Sequence, residues 1–184
     1  MKKTLLSIFL ITGINFCAQA QAYDGIEDGK IFLGYANVGG KSGIEVQIDK
    51  GISDLISYGG KFSFLIKPHD PNETSNSEED MQPFDTMDVS LFLRFHFSEA
   101  LNLNERIDPF LSLEGGLKSA GINAGLKYNF SETIGVFAMY NHSFSTSIYG
   151  DTEIIDDEYS ILSDKLNYFG KKGTFSVGLT FNVY

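Results

Sequence analysis

The sequence predicts an all-β protein, an eight-stranded antiparallel up-and-down transmembrane β-barrel. Three observations point there. Apolar residues recur at every second position in a series of segments, the segments suit a tilted crossing of a bilayer at roughly nine to thirteen residues each, and short connections alternate with long ones. A period of two belongs to a strand, whose successive side chains leave opposite faces. Composition agrees: 184 residues with 42% hydrophobic side chains, 19 Gly, 16 Phe and 9 Tyr but only 4 Pro suit one β-rich domain. No apolar run beyond the amino terminus approaches a membrane helix.

The chain opens with an address. Lys2 and Lys3 precede an apolar run from Leu5 to Ile14, and Ala18-Gln19-Ala20 places small residues where a signal peptidase reads them. Ala22 closes a second acceptable site. Residues 1–22 are therefore expected to be a signal peptide, cleaved after Ala20 or Ala22, with 23–184 as the barrel domain. Cys17 follows Phe16 rather than the small residue of a lipobox, and it leaves with the signal. The mature chain then has no disulfide, thiol nucleophile or cysteine metal site.

Each strand follows from its alternation. Segments around 30–37 and 133–144 are rich in Phe, Tyr and Gly, with less distinct faces. Ile44, Val46 and Ile48 alternate with Glu45, Gln47 and Asp49; Tyr58, Gly60, Phe62, Phe64 and Ile66 alternate with Ser57, Gly59, Lys61, Ser63 and Leu65. Met87, Val89, Leu91, Leu93, Phe95 and Phe97 enclose Asp88, Ser90, Arg94 and His96, with Phe92 as the exception. Leu111, Leu113 and Leu117 interleave with Ser112, Glu114, Gly116 and Lys118; Ile122, Ala124, Leu126, Tyr128 and Phe130 interleave with Asn123, Gly125, Lys127 and Asn129. The last strand sets Phe175, Val177, Leu179, Phe181 and Val183 against Ser176, Gly178, Thr180 and Asn182. Tight turns at Ser53-Asp54 and Ser131-Glu132 fall on the side of the chain ends, with 98–108 as a longer link there. The acid-rich loops 67–84 and 145–172 fall on the other side, with short turns at 38–42 and 118–121.

Alternation alone does not say which face points inward, and a secreted soluble barrel would show it inverted. Residue type separates the two. The polar face carries Gly59, Gly116, Gly125 and Gly178 among Ser and Asn, which suits a crowded interior better than a solvated surface. The bulky face is almost free of charge and places Phe97, Tyr128, Phe130 and Tyr140 near strand ends, as interfacial girdles require.

The signal peptide, the eight alternating segments and the final Val177-Gly178-Leu179-Thr180-Phe181-Asn182-Val183-Tyr184 resemble the small outer-membrane β-barrel proteins of Gram-negative bacteria, the OmpA/OmpX-like, opacity-type porin-family group. The resemblance is one of pattern and spans the mature chain. It implies export to the outer membrane, a monomer surrounded by outer-membrane lipid and lipopolysaccharide, and a terminal strand (Phe181, Val183, Tyr184) read by the barrel assembly machinery. Tyr184 departs from that form, standing out of phase with Phe175 and Phe181.

Parity sends Glu45, Asp49, Asp88 and Glu114 inward with Lys61, Arg94, Lys118 and Lys127. A narrow barrel has room for side chains rather than a channel, and charges held there need partners. The expectation is a plugged, roughly neutral polar lumen in which Arg94 and Lys61 bridge to acids on neighbouring strands. A small-solute porin gated through these residues is the alternative.

The chain has 24 acids against 14 bases, and loss of Lys2 and Lys3 leaves the mature product near −12. Bases cluster no further than a pair, which excludes nucleic acid as a partner. The surplus acid lies in the loops: Asp70, Glu73, Glu78, Glu79 and Asp80 in the first, and Asp151, Glu153, Asp156, Asp157, Glu158 and Asp164 in the second. Carboxylates suit divalent cations at a lipopolysaccharide surface or a basic partner, although neither loop has the spacing of a calcium loop. Tyr159, Leu162, Leu166 and Phe169 recur near helical spacing, as a short amphipathic turn at the rim would.

No enzymatic activity, catalytic residue, cofactor or metal site is expected. His142 with Ser143 or Ser145 and Glu153 would be the candidates for a lipid A hydrolase, and the spacing fails. Ser143 falls on the opposite face from His142, Ser145 is three residues away, and outer-membrane deacylases resembling this barrel class place the two residues two apart. His69, His96 and His142 share no ligand spacing, and His96 reads as a lumen residue. The sequence thus predicts an outer-membrane barrel with a structural or surface-interaction role.

Overall fold

The computed structural model describes residues 21–66, 86–145, 169 and 173–183. The expected signal segment up to residue 20, most of the two acid-rich stretches with their candidate cation ligands, and Tyr184 of the expected terminal signal lie outside the described residues. A 3-10 turn, Gly25–Glu27, precedes eight strands: β1 (Gly29–Val38), β2 (Lys41–Ser53), β3 (Ile56–Leu65), β4 (Met87–His96), β5 (Ile107–Gly116), β6 (Ala120–Asn129), β7 (Ile134–Ser145) and β8 (Thr174–Asn182). Each pairs antiparallel with the next, and β8 returns to β1 to close the barrel. Closure satisfies the backbone groups that an open sheet would leave at two edges.

The pleat decides what each face carries. Outward side chains include Ile48, Phe62, Leu91, Leu113, Leu126, Tyr140 and Val177, all exposed, with Leu91 at 71%. Inward ones are buried and mostly polar, from Glu45 and Arg94 to Lys127 and Ser176. Phe92, the residue that breaks the alternation of β4, points inward and is buried, as are Phe32, Phe110 and Phe137, which cluster with Met139 in the lumen. Tyr140 lies within β7, level with Phe175 near the start of β8. A bulge at Gly51 to Ser53 and another at Ala120 to Gly121 shift the register at opposite ends.

One end of the barrel holds residues 21 and 183, the two ends of the described chain, with the turns that join β2 to β3 and β6 to β7; the other is where Ile66 and Ser145 lie. Residues 21–28 form a strap across the first end. Ala22 donates its amide to the carbonyl of Glu105 at 2.7 Å, and Asn129 Nδ2 donates to the carbonyl of Gln21 at 2.5 Å. On the far side Gly51 donates its amide to the Asp28 carbonyl at 2.9 Å. β6 and β2 stand opposite one another in an eight-strand ring, so the strap spans the full mouth. Gly51 is required for that route, since a Cβ there would run into the Gly25 carbonyl.

Candidate functional site: the occupied lumen

Three levels of side chain fill the lumen. At the middle, Arg94 from β4 is fully buried. Its Nη1 meets Asp49 Oδ2 at 2.5 Å, Nη2 donates to Gln47 Oε1 at 2.7 Å, and Nε donates to Ser112 Oγ at 3.1 Å. The guanidinium also lies over the rings of Phe110, Phe92 and Phe32, with its Cζ 4.3, 4.4 and 4.9 Å from their centroids. A planar cation can satisfy acceptors at its edge while presenting its faces to aromatic quadrupoles, so both interactions form together. Phe110 reaches this position because its register partner on β6 is Gly125, where a Cβ would strike the ring.

Towards the loop end, Lys61 from β3 is paired with Glu114 from β5. Glu114 also accepts from Ser90 Oγ at 2.9 Å and from Asn123 Nδ2 at 2.6 Å, and Glu45 accepts from Gln47 Nε2 at 2.6 Å and Ser176 Oγ at 3.1 Å. Asp88, higher still, accepts from the Lys118 amide at 3.1 Å and from Ser119 Oγ at 2.8 Å. Buried Ala36, Val38 and Leu65 then cluster with Phe169.

At the strap end, His96 from β4 joins Ser57 and Asp108. Ser57 Oγ lies 2.8 Å from His96 Nε2, and Asp108 Oδ2 lies 2.7 Å from His96 Nδ1. Lys127 Nζ reaches the same carboxylate oxygen at 2.9 Å. The Tyr23 ring stacks on the imidazole at 3.5 Å and 7°, and its hydroxyl has two acceptors, the Ser53 and Ile56 carbonyls at 2.6 and 2.7 Å. Lys30 Nζ bridges Asp28 at 2.6 Å and Asn182 Oδ1 at 2.7 Å. Asp28 sits just before β1, and burial pushes its carboxyl above the ordinary range against the pull of Lys30 and Lys127.

All eight charged residues singled out by parity are buried: Glu45, Asp49, Lys61, Asp88, Arg94, Glu114, Lys118 and Lys127. Their pairing differs from the expectation in one respect. Arg94 and Lys61 bridge to acids two strands away rather than on neighbouring strands, because their register partners are Ser57 and Ser112 for Arg94, and Gln47 and Ser90 for Lys61. Long side chains in a narrow lumen pass over a short neighbour to the next acid. Parity also missed Lys30, Asp28 and Asp108, which join the strap-end cluster. His142 is exposed on the outward face of β7, and Ser143 on the other face donates to the Ala120 carbonyl at 3.3 Å. Among the described residues no group of three or more His, Cys, Asp or Glu is placed to hold a metal ion.

Similarity to known proteins reaches the fold. The crystal structure of the N-terminal β-barrel domain of Pseudomonas aeruginosa OprF superposes with a TM-score of 0.52 at 14% identity, covering 87% of this chain and all of that one. A de novo designed transmembrane β-barrel gives a TM-score of 0.53 at 6% identity, covering 87% of this chain and 98% of that one. No curated protein matches the sequence. Over residues 13–183 the chain matches DUF6646, a family of unknown function, and it belongs to that family.

Proposed function

We propose that this is an outer-membrane β-barrel protein, exported through its signal peptide, with a structural or surface-interaction role and no through-conductance. The observation that carries the reading is the inverted distribution of polarity. Large apolar side chains are exposed all round a closed barrel while its interior is charged. In water this arrangement would expose an apolar surface far larger than monomeric proteins tolerate; in lipid it is the stable solution. The Arg94 cage and the Lys61 to Glu114 pair, each crossing the lumen, support a plugged interior over a small-solute pore. The acidic loops 67–84 and 145–172 then form the outer crown, suited to divalent cations bridging to lipopolysaccharide.

The test is heat-modifiable migration of the membrane fraction on a detergent gel. A folded barrel should migrate faster before boiling than after, and planar bilayers loaded with the protein should show no unitary conductance. Recovery in the soluble fraction without detergent, with no mobility shift, would overturn the membrane reading; steady conductance steps would overturn the plugged one.

A further inference from the structure

We propose that Ser57, His96 and Asp108 form a nucleophilic site for ester acyl donors, held closed by the Tyr23 strap. The inference goes beyond a structural barrel and rests on the order of the three groups. Hydroxyl, imidazole and carboxylate stand in sequence at 2.8 and 2.7 Å, one on each of β3, β4 and β5. A carboxylate only accepts, so the hydrogen bond to Asp108 places a proton on His96 Nδ1. In the neutral ring Nε2 then keeps its lone pair, aimed at the Ser57 hydroxyl. That tautomer is the one a general base requires. A network that merely filled space would need partners for each group without needing this order.

Location supplies access. Ser57 is the second residue of β3, His96 the last of β4 and Asp108 the second of β5, so all three belong to the layer next to the mouth. Tyr23 covers the imidazole face, and withdrawing it leaves a slot one aromatic ring thick. Lys127 shares Asp108 and Tyr23 stacks on His96, so the closed arrangement holds the groups in place while the strap is seated. Arg94 and its three rings form the floor, making the site a blind recess rather than a passage.

The chemistry balances without a cofactor. Ser57 Oγ bonds to the ester carbonyl carbon as its proton passes to His96 Nε2; the alcohol leaves with that proton and an acyl-serine remains. Water repeats the step, releasing the acid and restoring the serine. Ser57 and His96 touch the reacting atoms, whereas Asp108 positions the imidazole.

A fluorophosphonate probe reads the first half of this sequence, since Oγ to phosphorus bond formation expels fluoride and passes the serine proton to His96. The full-length mature barrel is treated as wild type, Tyr23→Ala and Gly51→Ala, the last displacing the strap from the wall side through its added Cβ. Both variants should acquire the adduct on Ser57, mapped by peptide mass spectrometry, at least about tenfold faster than wild type. Adding His96→Gln to Tyr23→Ala should slow labelling by about 10²-fold. Asp108→Asn should alter the pH profile of labelling, which a merely structural role would leave in place. No adduct on Ser57 in either strap variant, with heat-modifiable migration retained, overturns the proposal, as does labelling indifferent to His96. Equal labelling of wild type overturns the closed state. Should neither variant fold, prolonged incubation of the wild type decides: an adduct that depends on His96 supports the site, and none refutes it.

Discussion

At the strap end the lumen is closed by a piece of chain, hydrogen-bonded at both rims and carrying one aromatic ring into a charged cluster. At the loop end, Ala36, Val38, Leu65 and Phe169 close it by apolar contact. The first closure is directional: it is made of hydrogen bonds and one ring stack, each with a defined geometry. The second is non-directional and tolerates changes of shape that keep volume. Between them Arg94 belongs to both descriptions, satisfied at its edge by Asp49, Gln47 and Ser112 and on its faces by rings. Directional and non-directional closure are thus placed at opposite mouths of one barrel.

The largest effect is expected where the two closures meet. Arg94→Ala should cost about 3–5 kcal/mol, because it leaves Asp49 buried without its cation. Urea unfolding of the refolded barrel, followed by gel mobility, measures it; a loss below about 1 kcal/mol would mean that the central cage is dispensable. At the loop end Leu65→Ala should cost about 2–3 kcal/mol by opening a cavity, whereas Leu65→Met should cost under about 1.5 kcal/mol. Equal losses would show that this closure is as shape-specific as the other.

Smaller effects test the strap. Tyr23→Phe keeps the stack on His96 and removes only the hydroxyl, so it should cost about 0.5–1.5 kcal/mol. Faster exchange of the Ala22 amide, with amides of mid-strand residues unchanged, would place that loss at the mouth. Asp28 supplies the smallest. Its carboxyl is raised in the folded state, so its stabilising share is fully present below the unfolded value and is lost as pH rises through the folded one. Exchange of the strap amides, corrected for intrinsic chemistry, should therefore rise across that window and lose the pH dependence in Asp28→Asn.

Strand parity was legible because it repeats: from Ile44 to Val183 the alternation separates the outward apolar residues from the polar ones. It was less legible in β1, where Phe32 points inward and Gly34 and Ala36 are small, so that no contrast of polarity marks the faces. Lys30 carries no parity signal for that reason. By sequence Asp108 falls at the end of the connection 98–108, since Pro109 and Phe110 interrupt the alternation before Leu111. Parity also assigns a face but not a height. That Arg94 would pass Ser57 to reach Asp49, and that His96 would fall between Ser57 and Asp108, depends on register, which turn geometry and the bulge at Gly51 to Ser53 set. The strap has neither period nor motif; Tyr23 is one aromatic beside the expected cleavage site, and its place is defined only by the barrel that receives it.

The seam between β1 and β8 gives the molecule a clock. Ile31 pairs with Phe181, and Lys30 Nζ donates to Asn182 Oδ1, a contact between residues 152 positions apart. A chain lacking its last strand can form every other hairpin and still hold two raw edges, each a template for another chain. Lys30, at the head of β1, holds Asp28 of the strap and Asn182 of β8 at once, so the cation that anchors the strap's last residue reaches its full set of contacts only after the final strand has arrived. Full pairing of Lys30 therefore records that the last strand is in place at the closing seam.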